Sequence, residues 1–376
     1  RAMATELLFG VQTNGIRHAE ADGMPDIDTR FRMVKEAGVH DYIDKTPDPH
    51  EIEEFEAASE KYGLPVRAGG WFYTLGRDEA LFAQNIQTAE RLGSLVHNTQ
   101  ILTNHADGHP VTNDEVIATY LNFAEIGDKH GVTPCFEVHV NMWSEDFRRV
   151  AEVGQAVEAR GVPFNMTLDH SHVIFKIDNP AEQEVGDIRG DVESGKLILD
   201  PFKDGNVSDQ WIDAGWIKHC HARAAIPNNP KNLDTVTDAG KPGRGIQYPF
   251  KQPEPGQYHS EWQEEALEPW KETIRSLMRH HAADPKGQLG QISTEFIPGP
   301  DYGQGCKYSL FEQNKFLVPD TTLFFMSVLW GCFGLQDLRG KELPWSLVSG
   351  YKRHTFRIGD LYLKAGKVWK IERRDG

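Results

Sequence analysis

Four times in the first half of the chain an amphipathic stretch ends in glycine and runs straight into a short apolar segment. The junctions are Ala37-Gly38-Val39, Tyr62-Gly63-Leu64, His130-Gly131-Val132 and Arg160-Gly161-Val162. Glycine adopts the left-handed conformation that closes a helix at little cost. The apolar segments lie too far apart for hairpins, so the repeated unit is helix, turn, then a strand parallel to the one before. The expected strands are Leu7-Thr13, Val39-Ile43, Pro65-Tyr73, Leu95-Leu102, Thr133-Val140, Pro163-Leu168, Trp216-His221 and Gln291-Phe296. They are short, rich in Val, Ile and Phe, and bounded by Gly, Pro or Asn. Helical spacing of apolar residues marks Asp28-Ala37, Ile52-Tyr62, Glu79-Leu92 and Asp114-His130. Thr112 or Asn113 is the expected cap of the fourth helix and Ser144 that of the fifth.

Eight strands with helices between them predict an α/β chain folded as a closed (β/α)8 TIM barrel over residues 5-300. Two stretches break the rhythm. Ile177-Asp213 is charged with few helical periods, and Ala224-His259 is rich in Pro, Gly and Asn. Both follow late strands, which makes them long βα-loops on the catalytic face, read as lids or partner contacts. Residues 301-376 form a C-terminal extension expected to pack on the barrel, with a buried helix at Thr321-Phe333 and a β-hairpin from Asp360-Lys364 and Lys367-Ile371.

Charge narrows the function. With 40 basic and 56 acidic residues the net charge is -16, and no run of Lys/Arg offsets it. Such a field repels nucleic acid and anionic membranes and suits a neutral or cationic ligand. The four cysteines, Cys135, Cys220, Cys306 and Cys332, form no CxxC pair. A reducing, cytoplasmic setting is expected. The opening RAMATELLFG lacks a signal-peptide apolar run, and the most apolar stretch, Leu323 to Leu335, is too short to span a bilayer. No Gly-x-Ser-x-Gly elbow is present, and the glycines at 299, 303 and 305 lack the context of a phosphate loop.

The chemistry gathers at the ends of the last four strands. They finish in Glu137-Val138-His139, in Asp169-His170-Ser171-His172, in His219-Cys220-His221-Ala222-Arg223 and in Glu295. In a barrel these ends converge on one mouth. Side chains alternate along a strand, so Glu137 and His139 share a face, as do His219 and His221, and either histidine can reach the mouth. Glu, Asp, His and Glu make a donor set of three oxygens and one nitrogen. That set suits one divalent ion, Mn²⁺, Mg²⁺, Co²⁺ or Zn²⁺, rather than copper. Without a cation, three buried carboxylates repel and their pKa values rise. Trp71, Phe72, Tyr73 and Trp143 can stack on a sugar face or simply pack, and His105 and His109 follow the fourth strand near the mouth. Cys220 points away from its flanking histidines and is expected to pack.

These motifs resemble the xylose isomerase-like TIM-barrel superfamily, which includes sugar isomerases, ketose 3-epimerases, dehydratases of inosose and 3-dehydroshikimate, and endonuclease IV. Glu-x-His on the fifth strand, Asp-x-x-His on the sixth, His-x-His on the seventh and a lone Glu on the eighth occur in the family's strand order. The resemblance implies metal ligands at Glu137, Asp169, His221 and Glu295, with manganese the expected ion. It implies Glu137 and Glu295 as the acid/base pair, aided by His172. Arg223 and His139, with Trp71 and His105 around the mouth, are the expected substrate contacts. The spacing from His221 to Arg223 is shorter than in the epimerases. The resemblance further implies a homo-oligomer. The expected activity is isomerisation or epimerisation of a sugar or polyol by proton removal next to a carbonyl, through a metal-stabilised enediolate. A lyase or dehydratase on the same scaffold is the alternative. An endonuclease-like role fits poorly, since the third strand offers no histidine at Gly69-Gly70-Trp71 and the chain is acidic.

Overall fold

The structure is a computed structural model and describes residues 7–19, 21–228, 240, 243–283, 288–299, 301–302 and 307–318. Strands β1 (Leu8–Gln12), β2 (Tyr42–Asp44), β3 (Val66–Tyr73), β4 (Val96–Ile101), β5 (Thr133–Glu137), β6 (Met166–Leu168), β7 (Ile217–Ala222) and β8 (Gln291–Thr294) are all parallel. They pair in sequence order, and β8 returns to β1 with Leu8 opposite Gln291, which closes the barrel. All eight expected strands are present. β7 has its expected length shifted by one residue, β2 is shorter and ends one residue later, and the others are shorter than their apolar runs because the ends turn toward the loops.

The helices between them are α1 (Ile27–Ala37), α2 (Ile52–Tyr62), α3 (Glu79–Leu92), α4 (Asn113–His130) and α5 (Phe147–Glu158). The glycines after α1, α2 and α4 have positive φ, as the junction pattern requires. Thr112 caps α4 and exchanges bonds with Glu115 in a capping box. Ser144 does not cap α5. The chain first makes a short 3-10 turn at Trp143–Glu145, so Asp146 takes the cap. Ser144 instead donates to the Glu137 carbonyl at 2.6 Å and accepts from the His139 N–H. On α5, Phe147, Val150, Val153 and Val157 are buried against the strands. Each contributes roughly 1.5–3 kcal/mol, and an Asp in place of Val153 would break the face.

The stretch 177-213 carries more structure than its pattern suggests. After α6 (Ser171–Ile174) come α7 (Pro180–Val185), α8 (Arg189–Glu193) and α9 (Val207–Asp213). Helices this short show no clear period. Local signals hold them instead: Pro180 at the first turn of α7, and Asn206 accepting from the Asp209 N–H at α9. Residues 224–228 and 243–259 contain no helix or strand, and α10 (Glu268–Ala283) follows before β8. Residues 310–318 are helical. The helix expected at Thr321-Phe333 and the hairpin at 360–371 lie outside the described residues. Among the described residues no helix is long and apolar enough to cross a membrane.

The barrel interior is polar toward the mouth and tightly filled below it. Tyr42 crosses the interior and hydrogen-bonds Ser293 Oγ at 2.8 Å. A side chain at Gly10 would lie 2.1 Å from the Tyr42 ring, so β1 needs glycine there. Cys220 faces outward into the apolar core.

Candidate metal centre at the barrel mouth

Glu137 ends β5, Asp169 follows β6, His221 lies on β7 and Glu295 follows β8. One ligand atom from each lies within 4.8 Å of the others, and all four side chains are buried. Side chains 32 to 158 residues apart thus meet at one point because parallel strands deliver their C-terminal ends to the same rim. His221 Nδ1 is 2.8 Å from Glu137 Oε1 and 3.1 Å from Glu295 Oε2. Strand alternation left two histidines open, and the geometry separates them. His219, one inward position earlier, bonds Thr167 Oγ1 and Ser293 Oγ.

Each acid is held by a distinct partner. Glu137 Oε2 accepts from Asn98 Nδ2 at 2.6 Å and from Gln100 Nε2. Asp169 Oδ1 accepts from the Ser171 N–H at 3.0 Å and from its hydroxyl. Arg223, fully buried, donates from Nη1 to Asp169 Oδ2 at 2.8 Å and from Nη2 to Glu295 Oε2 at 2.7 Å. Its Nε donates to the Glu295 carbonyl, and its guanidinium sits 4.2 Å above the Tyr302 ring. Arg223 therefore braces the acids, as well as lying where a substrate contact was expected.

Two more histidines complete the wall. His172 Nε2 is 3.2 Å from Asp169 Oδ2, while its buried Nδ1 has no partner among the described residues. His139 bonds the Val140 carbonyl through Nδ1 and the Tyr302 hydroxyl through Nε2 at 2.9 Å. Its ring lies 4.1 Å from that of His172.

The electrostatics differ among the three acids. Burial pushes Glu295 above its usual value, more than His221 and Arg223 can offset. Burial opposes ionisation of Glu137 too, but His221 holds it at about 2. Burial likewise acts on Asp169, and Arg223 and His172 bring it well below the ordinary range. The upward shift expected of three crowded carboxylates thus falls on Glu295 alone: His221 and Arg223 reach it too, but there burial outweighs them. Burial lowers the affinity of His221 for a proton, yet Glu295 and Glu137 raise it well above normal. A site that draws a proton so strongly onto an imidazole also attracts a metal cation, which displaces that proton.

The donor set fits a divalent metal. Each carboxylate has about four lone-pair positions, and Arg223 occupies one on Asp169 and one on Glu295. Asp44, at the end of β2, places Oδ2 3.4 Å from His221 Nε2. It backs the imidazole on the side away from Glu137, as a carboxylate behind a metal-binding histidine commonly does.

Asp44, Asn98, Gln100, Ser171 and Tyr302 were missed in the sequence. Asn98 and Gln100 had a signal: two polar residues on one face of a strand inside a barrel. Asp44 ends a strand just as Glu137 does. Tyr302 had none. Trp71 stacks on Phe72 with centroids 5.2 Å apart, and His105 stacks on His109. Trp143 is core, and Tyr73 is buried with its hydroxyl on His97.

No family model matches the chain, and neither does any curated protein sequence. Solved structures do match. The probable 3-DHS dehydratase AsbF of Bacillus anthracis, involved in petrobactin synthesis, aligns with a TM-score of 0.51 at 12% identity, covering 83% of this chain and 98% of that one. A D-allulose 3-epimerase from Methylomonas sp. aligns at 0.48 and 12% identity, covering 88% of this chain and all of the other. A xylose isomerase-like TIM-barrel protein from Mycobacterium smegmatis, in complex with magnesium, aligns at 0.47 and 12% identity over 85% and 98%. The likeness to the dehydratase, with a TM-score of 0.51 at 12% identity, is one of fold.

Proposed function

We propose that the protein is an enzyme that holds one divalent metal, manganese by preference, at Glu137, Asp169, His221 and Glu295. Its reaction moves the proton next to a carbonyl in a sugar or polyol. The observation that carries this reading is the convergence of those four buried ligand atoms within 4.8 Å at the barrel mouth. When bound, the metal supplies Lewis-acid polarisation of a carbonyl and its neighbouring hydroxyl.

The chain's own residues divide the remaining work. Glu295 carries the proton. Burial lifts its pKa, which strengthens it as a base and still lets it return the proton. Glu137 stays ionised and immobile, with one oxygen on Asn98 and Gln100 and the other facing His221. Arg223 keeps Asp169 and Glu295 in register across the mouth. His172 turns its unpartnered Nδ1 to a substrate oxygen, and Tyr302 fixes His139 beside it. Return of the proton to the neighbouring carbon by Glu295 gives an isomer. Return on the opposite face requires a second donor, His172, and gives an epimer.

A second reading rests on the same raised Glu295. Having taken the proton next to the carbonyl, the Glu295 carboxyl can deliver that proton to a leaving group on the carbon beyond, which makes the enzyme a lyase or dehydratase. One experiment separates these outcomes and tests the proposal. The Mn²⁺-loaded protein is incubated with a panel of aldoses, ketoses, keto-glycosides and cyclitols in D₂O. Products and deuterium incorporation are then read by NMR. Deuterium at carbon with no loss of mass gives the isomerase or epimerase, and loss of water or an aglycone gives the lyase. Absence of both exchange and elimination across the panel would contradict the proposal.

A further inference from the structure

A second group of possible metal ligands lies in the loop between β4 and α4, away from the mouth cluster. His105, Asp107 and His109 alternate along five residues. Their ligand atoms also fall within 4.8 Å of one another. The loop that carries them is fixed by backbone bonds. The His105 N–H donates to the His109 carbonyl at 2.9 Å, Ala106 N–H to Leu75, and Val111 N–H to Thr103. Asn104 and Pro110 pair as an antiparallel bridge.

The hydrogen bonds aim both imidazoles at Asp107. The Asp107 N–H points at His105 Nδ1 at 3.3 Å. Asp107 Oδ1 lies 3.1 Å from the same nitrogen. On His109, Nε2 faces Glu115 Oε1 at 2.7 Å, and Glu115 is itself anchored by Thr112. His109 Nδ1 faces Asp107 Oδ1 2.5 Å away, and Glu115 and Asp107 together raise the imidazole's hold on a proton, which a metal ion bound at Nδ1 would replace. Asp107 Oδ1 also accepts the His109 N–H at 3.1 Å.

The two rings stack 4.6 Å apart at 20°. The His105 ring is wedged against Gly76, where a Cβ would come within 2.3 Å of Nε2. Asp107 is 62% exposed, so water can complete a coordination shell.

We propose that His105 Nδ1, Asp107 Oδ1 and His109 Nδ1 form a second divalent metal site, with Glu115 orienting His109 from behind. Two imidazoles and one carboxylate select zinc, cobalt or nickel over magnesium or calcium. The site stands independently of the reaction at the mouth.

The test titrates the full chain with Zn²⁺ and Co²⁺, reading stoichiometry by calorimetry and the cobalt absorption spectrum. The loop variant Asp107→Asn/His109→Ala, with its unfolding midpoint checked, is expected to bind one equivalent fewer than the unsubstituted protein. A mouth variant, Asp169→Asn/Glu295→Gln, is expected to retain one equivalent that slows hydrogen exchange at 103–111. Equal stoichiometry in the loop variant and the unsubstituted chain would overturn the site. So would zinc binding by the mouth variant with no slowing at 103–111.

Discussion

Beside the mouth, Glu145 and Glu182 face Lys176 and Arg244, two acids against two bases. Lys176 Nζ is 2.9 Å from Glu145, and Arg244 donates to both acids. At the mouth itself Glu137, Asp169 and Glu295, with Asp44 behind His221, face the single guanidinium of Arg223. Both clusters are buried, and both join segments far apart in sequence. The loop cluster is balanced and ties the loops after β5, β6 and β7 together. The mouth cluster has too few cations of its own, which raises the pKa of His221 and leaves that of Glu295 raised by burial. Buried charge is costly unless compensated. A complete set therefore reads as structure, and an incomplete one reads as a place for a ligand.

Changing one acid in each cluster should separate the two roles. Glu295→Gln is expected to lower turnover by about 1000-fold, since a general base contributes roughly 10²–10⁴. It relieves crowding among the acids, so the urea midpoint should stay level or rise. A large fall in stability with turnover retained would reverse the assignment. Glu145→Gln is expected to behave the opposite way. Lys176 and Arg244 lose their shared partner, and breaking a buried pair costs about 3 kcal/mol. Chemistry per folded molecule should change little, which activity normalised to folded protein will check.

The pH dependence of stability sharpens the contrast. Burial opposes ionisation of Glu145, yet Arg244 and Lys176 hold it at about 2, below its ordinary 4.5. Its folded pKa is depressed, so its contribution is complete above about 4.5 and is lost as pH falls toward 2. Glu295 is shifted upward, so its contribution has the reverse sign: ionising it as pH rises costs stability. Denaturant midpoints measured from pH 7 to pH 3 should fall steeply in the unsubstituted protein and less steeply in Glu145→Gln. An identical slope in both would remove Glu145 from the account. The smallest expected effect is that of metal removal. Chelation should lower the thermal midpoint by a few degrees, as loss of any ligand bound to the native state does. It should do so equally in the unsubstituted chain and in Glu145→Gln.

The sequence revealed the barrel because its signals are local and repeated. Apolar runs, helical spacing and closing glycines at 38, 63 and 131 each act within a few residues. It also revealed the mouth acids, because a carboxylate or imidazole at the end of an apolar strand is conspicuous. What supports them was harder to see. Arg244 meets Glu145 from 99 residues away, and Tyr302 meets His139 from 163. No periodicity marks such pairings. Arg223 was legible as a residue, but its grip on Asp169 and Glu295 follows only from the curvature of the closed barrel. The short helices α7, α8 and α9 depend on caps rather than amphipathic faces, so pattern reading passed over them.

The most direct test is pulsed EPR on the protein loaded with one equivalent of Mn²⁺. The account predicts a nitrogen coupling from a single imidazole that disappears in His221→Gln and survives in His219→Gln. Manganese that fails to bind, or a coupling that persists without His221, would contradict it.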